Sequence, residues 1–215
     1  MSWTDHLNHI CLKAYRSLNL IRRTLSTSSP VSLKKRLYIS LVHSHLSYCS
    51  QLWRPHLIKD ITNVERVERK AAKSILNNYN RGNYKWRLQS LHLLPLMYWL
   101  ELQDLCFLLK CFCDPHDNTS IREYVSFSSN NTRAAASNKL THNFCKTSMA
   151  RHFYFNRVVR LWNSLPNSLI DLTVSTESNK HRLLKYFWEY FNANFDPSNH
   201  CSFHIVCPCS NCFLQ

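Results

Sequence analysis

A chain of 215 residues, 45% of them apolar and 13% aromatic, holds enough core-forming material for one large domain or two small ones and is too apolar to be a disordered tail. Its single glycine sets aside folds that depend on positive-φ turns or glycine-rich phosphate loops, among them Gly-turn β-sandwiches, Rossmann folds and P-loop enzymes, and favours helices. Lys and Arg number 27 against 13 Asp and Glu, a net +14 concentrated early in the chain: 13 basic and 4 acidic residues lie up to Ile75, and only 3 and 4 beyond Arg160. Such a field favours polyanionic partners.

Leu7, Ile10, Cys11, Ala14, Leu18, Ile21 and Leu25 recur at spacings of three and four, which predicts a first helix over 5–25 with Thr4 as its cap. The stretch 26–30 breaks it. Ser29 as cap and Pro30 at the first helical position start a second helix, lined by Leu33, Leu37, Leu41, Val42, His45, Leu46 and Cys49. Pro55 makes 53–56 a turn. From Asp60 a third helix carries Ile61, Val64, Val67, Ala71, Ala72 and Ile75 on one face and Arg66, Arg69, Lys70 and Lys73 on another.

Residues 77–83 form a polar break, and Leu94-Pro95 opens a fourth helix to about Cys113 that is apolar nearly all round and therefore core. Residues 114–148, rich in Asn, Ser and Thr, read as a long connection. A mixed aromatic and basic segment follows to Pro166, then a helix over 176–194 and a Cys-rich tail. The longest apolar runs, 93–100 and 105–112, fall short of the roughly 18 to 20 residues a membrane span needs. The first thirty residues contain no apolar signal segment, so the 10 cysteines are expected to be reduced thiols in an intracellular protein, nuclear or cytoplasmic.

The order of motifs resembles the C-terminal part of reverse transcriptases of non-LTR (LINE-type, jockey-like) retrotransposons, over nearly the whole chain. Trp3-Thr4-Asp5-His6 followed by Arg22-Arg23 resembles the segment leading from the family's palm into its thumb. Tyr38-Ile39-Ser40-Leu41-Val42, Leu46-Ser47-Tyr48-Cys49 and Trp53-Arg54-Pro55 are similar to its second thumb helix and turn, and Val64 to Ala72 to its basic helix. Arg87-Leu88, Leu94-Pro95-Leu96 and Phe155 to Pro166 resemble the region downstream. The elements and the resemblance together predict an all-α fold: a thumb-like, basic three-helix bundle at 1–79, a linker and buried apolar helix at 80–113, a polar flexible connection at 114–149, a second helical region at 150–195 and an irregular Cys-rich tail at 196–215. His43-Ser44 stand where the family usually has Arg-Pro. The carboxylates that hold two metal ions in the family's palm have no counterpart, since none of the seven Asp residues is adjacent to another. No catalysis is expected.

What the residues and the resemblance leave is a grip on primer-template, RNA-DNA hybrid or DNA duplex, through backbone phosphates rather than base edges. Arg66, Arg69, Lys70 and Lys73 are the leading contacts. Arg22, Arg23, Lys34, Lys35 and Arg36 are weaker candidates, because three consecutive basic residues on a helix point to different sides. The alternative for these charges is a solvated face with local pairs such as Glu65 to Arg69. In the tail, Cys201, His204, Cys207, Cys209 and Cys212 have ligands enough for a zinc ion, although the one-residue spacer at Pro208 strains joint ligation by Cys207 and Cys209. Trp53, Trp86, Trp99, Trp162 and Trp188 are either base-stacking platforms or core. Besides nucleic acid, the remainder of a reverse transcriptase is a candidate partner; no membrane or small-molecule substrate is expected. Two other readings stay open: a helical protein-interaction module, and a genomic relic with no selected role.

Overall fold

The structure, a computed structural model, describes residues 3–78, 83–113, 124–128, 139–141 and 144–207. It is all-α, as expected. The chain divides into two compact units, Met1–Leu100 with Asn194–Phe203, and Glu101–Ala193 with His204–Gln215.

The first unit begins with α1 (Thr4–Thr24), which buries Leu7, Ile10, Cys11, Ala14, Leu18 and Ile21. Thr4 is not its cap: Trp3 holds that position without a side-chain bond, and the Thr4 hydroxyl instead donates to Asp60 Oδ2 at 3.3 Å. Pro30 caps α2 (Val31–Leu37), one residue later than its role in the sequence suggests. A π-helical segment (Tyr38–His43) continues α2 into α3 (Ser44–Ser47). Ser40, Ser44 and Ser47 each donate to the carbonyl four residues back, at 3.0, 2.7 and 3.0 Å, a pattern that bends helices. The expected second helix therefore ends at Ser47; Cys49 is exposed in a left-handed conformation, and α4 (Ser50–Trp53) follows.

Next come α5 (Ile58–Ile75), α6 (Tyr84–Leu91) and α7 (Leu96–Cys113), the last shared between the units. The helix α6 was not foreseen. It has eight residues, and Asn83 starts it by accepting from the Lys85 amide. With one glycine in the sequence, the left-handed positions fall among the described residues on Cys49, Asn77 and His92. Asn77 and His92 each follow the last turn of a helix, where the Asn78 amide reaches the Lys73 carbonyl at 3.1 Å and the Leu93 amide the Leu88 carbonyl at 3.0 Å.

The second unit contains most of α7 together with α8 (Ser148–His152), α9 (Tyr154–Ser164) and α10 (Thr176–Asn194). Buried Asp104 on α7 pairs with buried Arg157 on α9 at 3.1 Å. Asn163 exchanges two 2.9 Å amide bonds with the Leu140 backbone, and Lys139 donates to the Asn163 and Leu165 carbonyls that end α9. The bounds of α10 are those read from sequence, and buried Asn179 anchors its start by bonding the Asp171 carbonyl at 2.7 Å and accepting from the Asp171 amide at 3.1 Å. No helix among the described residues is long and apolar enough to cross a membrane.

Candidate nucleic-acid interface

The site rests on the rotation of α5 about its axis. Ile61, Val64, Val67, Ala71, Ala72 and Ile75 are all buried, at roughly 1.5 to 3 kcal/mol for each large side chain. On the same inner side lie Glu65 and Glu68, each 1% exposed. They cap another helix: Glu68 Oε2 accepts from the Leu96 amide at 2.7 Å and Glu65 Oε1 from the Met97 amide at 3.0 Å, so both carboxyls sit at the positive end of α7. Tyr84 donates to Glu65 Oε2 at 2.8 Å and lies 3.0 Å from Glu68 Oε2; Tyr38 donates to Glu68 Oε1 at 3.4 Å.

A single phenolic proton cannot serve both of the Tyr84 contacts. A proton retained on Glu68 completes the set, and the direction agrees: burial first, then the Glu65 charge, holds the Glu68 carboxyl well above the usual range, against opposing bonds from Tyr84, Leu96 and Tyr38. Burial also raises Glu65, with the Met97 amide, Tyr84 and Arg69 opposing. In the alternative reading of the sequence Glu65 was a surface partner of Arg69. Glu65 and Glu68 together form a buried clamp on the start of α7.

The clamp fixes which side of α5 meets solvent. Lys59, Arg66 and Lys70 are exposed and Lys73 is half-buried. Spacings of seven, four and three place them along one face, across fourteen residue steps or about 21 Å, the axial length over which one strand of a duplex presents about six phosphates. Lys59 was missed because the helix starts at Ile58, two residues earlier than Asp60; its spacing of seven from Arg66 was the available signal. Asp60, Glu65 and Glu68, the only acidic residues of α5, are all buried, so none stands beside these cations on the outer face. The Lys70 ammonium lies 4.6 Å from the centre of the Tyr15 ring on α1. Burial raises the Tyr15 hydroxyl, Cys11 adds to this, and the Arg66 charge opposes it.

Arg69 is corrected. Its guanidinium lies 4.8 Å from the centre of the Tyr84 ring and 5.7 Å from that of Phe203, and donates to the Pro197 carbonyl at 3.4 Å, so it packs the unit together rather than joining the outer row. Lys34, Lys35 and Arg36 do point three ways. Lys34 is 6% exposed and donates to the Thr27 carbonyl at 2.9 Å and Asn77 Oδ1 at 3.5 Å. Lys35 donates to the His92 carbonyl at 3.4 Å, and burial lowers its pKa. Neither belongs to an open cationic surface. Arg36, Arg22 and Arg23 are exposed.

The tail candidates are only partly described. His204 is 3% exposed, with Nδ1 donating to Glu101 Oε1 at 3.0 Å and Nε2 buried without a partner. Cys201 and Cys207 are half-buried, while Cys209 and Cys212 lie outside the described residues. Among the described residues no three His, Cys, Asp or Glu side chains are gathered as a metal site. Of the tryptophans, Trp53 and Trp162 are core, and Trp53 donates to the Tyr48 carbonyl at 2.9 Å; Trp86 is 49% exposed. No family model matches this chain, and neither a curated protein nor a solved structure does.

Proposed function

We propose that the chain is a non-catalytic nucleic-acid-binding protein that holds duplex through backbone phosphates along the outer face of α5, with Lys59, Arg66, Lys70 and Lys73 as contacts and Arg22 and Arg23 as flanking charges. The observation that carries this is the separation of charge on one helix: the acids of α5 are inside and four of its cations are aligned outside. Cations so arranged release counterions when a phosphate row replaces them, without reading sequence. The motif order further suggests descent from the C-terminal part of a non-LTR reverse transcriptase, whose bound strands a separate palm would copy.

Fluorescence anisotropy with a labelled 20-base-pair RNA-DNA hybrid of arbitrary sequence tests the proposal. The wild type is expected to bind in low salt with no preference among sequences, and the variant R66E/K70E/K73E to lose at least about tenfold in affinity. Equal binding by the two proteins would refute it. A second reading, a helical protein-docking module, draws on Tyr48 and Leu52, which are 77% and 67% exposed; a partner captured independently of nucleic acid, and lost on Tyr48→Ser, would favour it.

A further inference from the structure

We propose that the recess between the end of α1, the start of α2 and the end of α5 is a binding site for a single phosphate group. Lys34 motivates it. A buried ammonium normally faces a carboxylate, because taking its charge out of water is costly unless an opposite charge compensates. The partners of Lys34 are neutral oxygens only, the Thr27 carbonyl and the Asn77 side chain, which occupy two of its three N–H bonds. No carboxylate is among the described residues that line the recess.

The recess has a volume of about 160 Å³, some five times the ~30 Å³ share of a water molecule, which leaves room for a tetrahedral oxyanion. Beside Lys34 its lining residues include Arg22, Ser26 and Ser74. The Ser74 carbonyl accepts from the Asn77 amide at 3.4 Å, whereas its hydroxyl makes no hydrogen bond among the described residues and can donate to an acceptor. Asn77 holds the frame: it ends α5 in a left-handed turn, its Nδ2 donates to the Thr27 carbonyl at 2.7 Å, and its Oδ1 accepts from Lys34. A lysine, an arginine and a serine hydroxyl lining one recess, with no carboxylate among its described lining residues, select an anion with several acceptor oxygens. A phosphate monoester and inorganic phosphate share that chemistry.

The site does not require the outer face of α5 to bind anything. Thermal unfolding of the full chain in inorganic phosphate, against sodium chloride of matched ionic strength, is expected to show a phosphate-specific rise in Tm for the wild type. Titration calorimetry then gives the phosphate affinity. Arg22→Ala, an exposed change that leaves the fold intact, is expected to weaken it at least about tenfold, the loss of a charge-assisted bond. Lys34→Gln should abolish it, and R66E/K70E/K73E should leave it unchanged. A duplex carrying a 5′-phosphate that competes with inorganic phosphate, where the same duplex with a 5′-hydroxyl does not, would identify a strand end as the source; competition by neither would leave the free ion as ligand. A wild type stabilised equally by phosphate and chloride, or a phosphate affinity unmoved by Arg22→Ala, would overturn the site. Failure of the hybrid to bind, with phosphate affinity intact, would count against the outer-face reading alone.

Discussion

Glu68 is buried against the Leu96 amide, Tyr84 and Tyr38. A group that keeps its proton in the folded state, while the unfolded chain loses it near the ordinary carboxylate pKa, makes the fold less stable as pH rises between those two values. His43 works in the opposite direction. Burial lowers its pKa to about 4, so the fold loses stability as pH falls from about 6.5 towards that value. Comparing Glu68→Gln with the wild type cancels the His43 contribution. The amide replaces a neutral carboxyl and cannot ionise, so the stability advantage of the variant in urea unfolding is expected to grow from pH 5 to pH 8, by no more than the about 1.4 kcal/mol per pH unit of one proton. A difference that does not change with pH would show that Glu68 is ionised in the fold. In the second unit, Arg157→Met strands the buried Asp104 carboxylate and is expected to cost about 3 to 5 kcal/mol in urea unfolding, whereas the double variant with Asp104→Leu recovers much of that loss.

At the scale of elements, what was legible in sequence was periodicity, and what was hidden was the partner of each side chain. The apolar spacing of α5 marked its buried face correctly, and α10 was bounded to the residue. The helix α6 escaped because eight residues give little room for a repeating pattern, and the break at Cys49 because a left-handed turn is more readily signalled by Gly or Asn than by Cys. The buried carboxyls were illegible for a different reason: their partners are the amides of Leu96 and Met97, 28 and 32 residues away, and amides are common to every residue. The same clamp turns Arg69 off the outer row and brings Lys59 onto it. Arg69→Met is therefore expected to lower the unfolding midpoint while changing hybrid affinity less than about twofold, and Lys59→Glu to do the reverse. The opposite assignment in a paired anisotropy and unfolding experiment would contradict this division of labour.

Across the whole molecule, the +14 charge sets only a general attraction to polyanions. What distinguishes a shaped grip from diffuse attraction is the number of phosphates neutralised together. Four aligned cations on α5 give an expected slope of log K against log salt between about −3 and −4 on duplex, at about −0.9 per phosphate. Removing three of them should leave a slope near −1. The direct measurement is therefore a salt titration of hybrid binding, from about 50 to 200 mM, for the wild type and R66E/K70E/K73E side by side. The account predicts a steep line that becomes shallow in the variant; two parallel lines would contradict it, since the contacts would then lie elsewhere on the protein.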